Sequence, residues 1–182
     1  MEKIKWLVIN YNLPTEPSRP RVAVWRKLKK LGAVNIQKSM WIIPNNDENY
    51  IALQKISEEV EANKGETLLM DSMFLDNKHQ ERVISIFNGM RDEEYGELID
   101  ECEKYLKELE KEISIEKFTF AELEEEEEEL QKLISWYIKI ESRNNFQASK
   151  GEKAKGMIKE IQESFENYSD LVYENTEKDH MR

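Results

Sequence analysis

The chain has 182 residues, of which 36% are charged, and its formal net charge is −11. Its single cysteine, Cys102, excludes an internal disulfide scaffold, and no stretch approaches the roughly 20 apolar residues of a membrane span. The first ten residues also lack the apolar core and cleavage site of a signal peptide. We therefore expect an unprocessed cytoplasmic protein without a membrane-spanning segment.

The charge is unevenly distributed along the chain. Residues 1–46 contain nine basic and two acidic residues, a balance of +7, which leaves −18 for the remainder. Such asymmetry favours a surface that faces a polyanion at one end of the chain and a solvated body at the other. The alternative is that one helix is merely rich in lysine and another rich in glutamate.

The first 31 residues predict a strand and then a helix. Residues 4–9 are an apolar, β-branched run that ends in a turn containing Asn10 and Pro14. Ser18 is a suitable N-cap and Gly32 a stop signal, so we expect a helix over residues 19–31.

Two short strands, a helix and a further strand are predicted next, at residues 34–37, 40–43, 48–63 and 66–75. The resulting order, β-α-β-β-α-β, is that of the ferredoxin-like α+β fold. We therefore predict a domain over residues 1–76, in which two helices cover one face of an antiparallel sheet.

Residues 77–182 read as amphipathic helices, each with one apolar face, and predict a helical hairpin or small bundle packed on the first domain. Apolar stripes at residues 83–90 and 98–113 indicate two segments, and Thr119 and Ser149 have the spacing of capping boxes that start two more. The six consecutive glutamates at 124–129 are interpreted as a solvated helix face.

The predicted helix at 19–31 carries the candidate site, which we call the basic face: Arg19, Arg21, Arg26, Lys27 and Lys30. At 100° per residue, Arg19, Arg26 and Lys30 fall within about 40° of one another, with Lys27 at their flank, and Arg21 lies in the first turn. The opposite side is apolar and is predicted to pack on the sheet; it consists of Val24, Trp25, Leu28 and Leu31.

Two ligands fit this basic face. Guanidinium groups pair with phosphate oxygens, so several on one helix would follow a DNA backbone. A tetrahedral anion such as phosphate, sulfate or chromate would be satisfied by the same donors. The alternative without a ligand is a solvated face that pairs with the acidic helices of the same chain.

The sequence gives little support for enzymatic chemistry. There is no glycine-rich phosphate loop, no C-x-x-C pair and no H-E-x-x-H motif, and Cys102 lies on an apolar stripe, where a free cysteine behaves as a small hydrophobe. We expect a protein that is not an enzyme and has no metal or cofactor.

Several segments, at residues 13–34, 39–44, 87–88, 91–95, 117–125 and 143–146, carry a likeness to a known family that covers about residues 4–173. They closely resemble the N-terminal region of the chromate resistance protein family ChrB. The resemblance implies a transcriptional regulator of a chromate-efflux operon, with DNA-binding arginines that match Arg19, Arg21 and Arg26. Full-length ChrB proteins carry a further C-terminal domain, which the resemblance does not cover.

A more distant likeness is to the ferredoxin-like domain of PaaX-type repressors and of small CRISPR adaptation nucleases. The nucleases have an aspartate after the first strand, where a metal ion would bind. Here the corresponding turn contains the neutral Asn12, which is a poor ligand for magnesium chemistry. A metal-dependent nuclease is therefore disfavoured.

The leading hypothesis is a ChrB-like regulator that binds duplex DNA through the basic face, as a homodimer that pairs two sheets edge to edge. The alternative is an accessory or adaptor protein of chromate or metal stress, which binds a protein partner or a small oxyanion and does not bind DNA.

Overall fold

A computed structural model describes residues 3–180, with side chains described as far as residue 177. The chain forms two compact units, the first ending at Phe87 and the second beginning at Asn88. Each unit has its own cluster of buried apolar side chains.

The first unit contains a four-stranded antiparallel sheet. Its elements are β1 (Trp6–Asn12), α1 (Ser18–Leu31), β2 (Val34–Gln37), β3 (Met40–Pro44), α2 (Asp47–Ala62) and β4 (Glu66–Ser72). The strand order is β2-β3-β1-β4, and every neighbouring pair is antiparallel. The prediction of a ferredoxin-like βαββαβ arrangement is confirmed.

Strand alternation places the core of this unit between the sheet and the two helices. Leu7 and Ile9 of β1 share one buried cluster with Val24 and Leu28 of α1 and with Leu53 of α2. Because successive side chains of a strand point to opposite faces, Trp6 lies on the other side of the sheet. There its ring contacts Phe74 and Phe87, with centroid separations of 5.9 and 5.7 Å.

The residues at the two ends of α1 determine where the helix begins and where it ends. Its capping position is occupied by Pro17, which supplies no side-chain hydrogen bond, so the prediction of Ser18 as N-cap was wrong; Ser18 is the first helical residue. At the other end Gly32 adopts a left-handed conformation with φ of 87° and donates its N–H to the Lys29 carbonyl at 3.0 Å. Glycine adopts this conformation without steric cost, which ends the helix sharply.

Three long helices follow: α3 (Asn77–Ser114), α4 (Phe120–Glu141) and α5 (Gly151–His180). The sequence predicted two segments where α3 is continuous, because Gly89 and Gly96 are tolerated inside a helix that contains no proline. The predicted cap of α4 is confirmed, since the Thr119 hydroxyl accepts the Glu122 N–H at 3.3 Å.

The second unit is a small helical bundle. Buried side chains of all three helices, including Tyr95, Leu98, Leu133, Ile161 and Tyr168, form one cluster. Cys102 belongs to this cluster, as its position on an apolar stripe predicted. In the residues that the structure describes, none of the helices combines the length and the apolar character needed to cross a membrane.

Candidate functional site

The basic face lies on the solvent side of α1. Arg19, Arg21, Arg26, Lys27 and Lys30 are all exposed, while Val24 and Leu28 on the opposite side are completely buried. The buried side chains anchor the helix to the sheet, and the anchoring fixes the direction in which the cations point. The sequence placed these residues on one helix face, and the structure keeps all five accessible.

Two members of the basic face have partners within the first unit. The Arg21 guanidinium donates to the Thr15 carbonyl at 2.8 Å, which holds it beside the N-terminus of α1. The Lys27 ammonium forms an ion pair with the Glu59 carboxylate of α2. For Arg19, Arg26 and Lys30, no carboxylate of the residues described here lies close enough to form an ion pair.

The charge along α1 is not compensated within the helix itself. There is no acidic residue in its first turn, and Lys29 and Lys30 lie in its last turn. Cations at a helix C-terminus are stabilised by the helix dipole, whereas free N–H groups at the N-terminus attract anions. The N-terminus of α1 therefore suits a negatively charged ligand through its free N–H groups, and the C-terminus stabilises the cations Lys29 and Lys30.

Trp25 was predicted to pack in the core, and this was wrong, because 47% of its surface is exposed. Trp25 lies at the edge of the apolar arc, about 100° from Val24, where the sheet no longer covers it. The exposed Val22 is one turn earlier, so the two form an apolar strip alongside Arg26. The accessible surface of α1 therefore combines cations with an aromatic ring.

A second polar site, in the second unit, was not recognised from the sequence. Residues 91–95 of α3 meet residues 143–146, which connect α4 to α5. Arg143 donates to the Glu94 carboxylate at 3.1 Å, and the Arg91 Nε lies 3.3 Å from the other oxygen of the same group. The only sequence signal was that both segments contributed to the family likeness.

The same segments fix the start of α5. The Asp92 carboxylate accepts the Ser149 hydroxyl at 2.9 Å and the Lys150 N–H at 2.7 Å. Ser149 is thus a donor to Asp92 rather than the N-cap that its spacing predicted, and α5 begins two residues later. A carboxylate at the N-terminus of a helix is stabilised by the free N–H groups there.

Tyr95 and Asn88 complete this polar network. The Tyr95 hydroxyl donates to the Glu141 carboxylate, and burial together with this carboxylate raises the pKa of Tyr95. The Asn88 amide donates to the Phe146 carbonyl at 3.2 Å. These bonds join α3 to the end of α4 and to the connection that follows it.

The glutamate run was predicted to be solvated, and for one member this was wrong. Glu126 is 6% exposed, and burial followed by repulsion from Glu108 and Glu112 raises its pKa to about 7. Glu126 lies between Leu123 and Leu130 at helical spacing, a pattern that places it on the buried side of α4. Across the described part of the chain, no three acidic, histidine or cysteine side chains are grouped to hold a metal ion.

Comparisons with known proteins agree on one family. A family model described as "Protein ChrB, N-terminal" matches residues 21–179. Protein ChrB of Cupriavidus metallidurans is 26% identical over 92 residues, which are 50% of this chain and 28% of that protein. The chain thus matches little more than a quarter of that relative's length. No solved structure matches the chain. The matched range includes Arg21 and Arg26 but begins two residues after Arg19.

Proposed function

This chain belongs to the family of ChrB N-terminal domains, which is linked to chromate resistance, and we propose that it is a transcriptional regulator that binds duplex DNA through the basic face of α1. The observation that carries the proposal is that all five cations of the basic face are exposed on one anchored helix. It acts by binding and not by catalysis.

Phosphate contacts supply the affinity in this proposal. Arg19 and Arg26 lie two turns apart on the same side of α1, about 10 Å along the helix axis. Lys30 lies one turn beyond Arg26 on the same side, about 6 Å further along the axis, so the three side chains can contact several phosphates of a DNA backbone together. Guanidinium groups pair with phosphate oxygens through two parallel N–H donors, which fixes the helix on the backbone.

The negative charge of the remaining chain does not prevent this contact. At 0.15 M salt the Debye length is about 8 Å, so exposed carboxylates farther than this from the DNA are largely screened. Repulsion by the acidic helices lowers the association rate more than it weakens the contact at α1.

We further propose that the regulator is a homodimer in which β4 pairs with β4 of a second copy. β4 is an edge strand of the described sheet and carries the exposed side chains of Leu68 and Met70. Antiparallel pairing centred on Leu69 places Leu68 opposite Met70 and Glu66 opposite Ser72. No like charges face one another in this register, and the apolar side chains cover each other.

The test of DNA binding is a fluorescence anisotropy titration with a mixed-sequence duplex at two salt concentrations. With about four phosphate contacts per subunit, the logarithm of the affinity should fall against the logarithm of salt with a slope of roughly −3 to −4. The double variant Arg19→Gln/Arg26→Gln should bind more weakly and reduce the slope by about 2.

The matched control is Lys107→Gln/Lys155→Gln, which removes the same charge from exposed positions of α3 and α5. We expect it to bind nearly as well as the parent and to keep the parent's salt slope, because neither lysine belongs to the basic face. If the Arg19→Gln/Arg26→Gln variant binds as tightly as the parent at every salt concentration, the basic face is not the DNA contact.

A second candidate function is that of an adaptor that binds a protein partner. It is favoured by the exposed Trp25 and Val22 beside Arg26, because a tryptophan flanked by cations is typical of protein interfaces. This candidate predicts no measurable affinity for duplex DNA even at low salt.

A further inference from the structure

The apolar strip of Val22 and Trp25 lies among the cations of α1. Seen along the helix axis at 100° per residue, Val22 is about 60° from Trp25 on one side and about 40° from Arg26 on the other. Arg21 lies one turn before Trp25, and Lys29 lies one turn after it. Val22 is 42% exposed and Trp25 47%, so the strip is an apolar surface within a cationic one.

The strip occupies the flank of α1 that faces away from α2. The ion pair of Lys27 with Glu59 shows which flank lies beside α2. Trp25 is about 160° from Lys27 around the helix, so it lies on the opposite flank. The sheet lies beneath Val24, which is completely buried. Within the first unit, the side of α1 that runs from Trp25 to Arg26 is therefore accessible to a large ligand.

A ligand that matches this surface is polyanionic and also has apolar groups between its charges. The major groove of duplex DNA has this combination, because phosphates of two strands border a groove about 12 Å wide that admits an α-helix. The apolar group that base pairs present in this groove is the C5-methyl of thymine. Phosphate contacts position a protein on DNA but carry no sequence information, so the cations of the basic face do not select a sequence directly.

We propose that the apolar strip recognises thymine in the major groove, with the Trp25 ring and the Val22 methyl groups packing against C5-methyl groups. This assignment rests on the proposed DNA binding through the basic face, whose cations hold α1 against the phosphates. Covering one methyl group corresponds to an affinity difference of about 4-fold. Because the contact is apolar, it releases no counterions from the DNA and leaves the salt slope unchanged.

The experiment compares two duplexes of alternating A·T pairs by fluorescence anisotropy with the full chain. The second duplex has deoxyuridine in place of every thymine, so it lacks the C5-methyl groups and keeps the same phosphates. We expect the parent to bind the thymine duplex more tightly, by about 4-fold or more. Trp25→Ala should bind the two duplexes equally and keep the parent's salt slope, whereas Trp25→Phe should retain the preference.

Two controls separate the strip from other surfaces. Ile51→Ala truncates a 50% exposed apolar side chain on α2 and should keep the parent's preference for thymine. Arg19→Gln/Arg26→Gln should weaken binding to both duplexes by the same factor, because their phosphates are identical. At low salt, where this variant still binds, its preference for thymine should equal that of the parent.

The outcomes distinguish this assignment from the proposed function itself. If the parent binds both duplexes equally, or if Trp25→Ala keeps the preference, the strip does not recognise thymine, while DNA binding through the basic face stands. If the parent binds neither duplex at low salt, DNA binding and thymine recognition both fail. That last result assigns Trp25 to the protein partner of the second candidate function.

Discussion

The ammonium of Lys27 on α1 pairs with the carboxylate of Glu59 on α2, although the two residues are 32 positions apart in the chain. Both belong to the first unit, and more than half of the Lys27 side chain remains exposed beside the pair. The Glu59 carboxylate therefore competes for Lys27 with any anion that approaches the flank of the basic face.

Replacing Glu59 by glutamine should strengthen DNA binding. The change frees Lys27 for a phosphate, so we expect a several-fold higher affinity at low salt and a salt slope steeper by about 0.9. Exposed ion pairs contribute only about 0 to 1 kcal/mol, so the free energy of unfolding should change little. Anisotropy titrations and urea unfolding measure the two quantities.

The matched control for this change is Glu58→Gln, which alters the same net charge one residue earlier at an exposed position of α2. If both variants gain the same affinity, overall charge and not the release of Lys27 explains the effect.

The tryptophans of the first unit should differ sharply in their contribution to stability. Trp41 is buried in the core under α1 and α2, so Trp41→Ala should lower the free energy of unfolding by about 3 to 5 kcal/mol. Trp25 is about half exposed, and Trp25→Ala should cost only about 1 kcal/mol. Urea unfolding of both variants measures the difference; equal losses would mean that Trp25 is covered in solution.

The order of strands and helices could be predicted because it depends on local patterns. Turn residues such as Pro14 and Gly32 end their elements regardless of the rest of the fold, and apolar spacing identifies the faces that must be buried. The limits of a buried face are less predictable. Trp25 and Glu126 lie at positions where the exposed fraction depends on how far a neighbouring strand or helix extends. Helical spacing predicts which face a residue lies on, but not how much of that face a neighbour covers.

The basic face could be predicted because all its members belong to one helix, whereas the sharing of Glu94 by Arg91 and Arg143 could not. These two arginines are 52 positions apart, and both reach Glu94 only because α3 packs beside the end of α4. A sequence carries no direct signal for such a long-range contact between charged side chains. The family likeness of both segments marked them without indicating that they touch.

Dimerisation through β4 predicts that a charge on this edge separates the two copies. Leu68 is 63% exposed, so Leu68→Lys should leave the fold of one copy intact while placing an ammonium opposite Met70 at two positions of the dimer. We expect the dimer dissociation constant to rise by about 10-fold or more, as measured by sedimentation velocity over a range of concentrations.

The control for the edge variant is Ile138→Lys, which introduces the same charge at a 59% exposed apolar position of α4. It should leave the association unchanged. A parent chain that remains monomeric at all concentrations would contradict pairing through β4.

The buried Glu126 carboxyl makes stability depend on pH. Glu108 and Glu112 of α3 and Glu122 and Glu125 of α4 add their repulsion to the burial of Glu126, and its pKa rises from an ordinary value of 4.5 to about 7. The folded chain therefore holds a proton that the unfolded chain releases at lower pH. Since the folded state binds more protons between these two values, its stability falls as pH increases.

We expect this contribution to be fully present below about pH 4.5 and to be lost as pH rises through 7, with a total loss on the order of 3 kcal/mol. Glu126→Gln keeps the neutral form at every pH, so its free energy of unfolding should decline less between pH 5 and 8 than that of the parent. Urea unfolding at several pH values measures the slope. Glu127→Gln, at the adjacent exposed position, should retain the parent's slope; identical slopes in the two variants would show that Glu126 is ionised throughout.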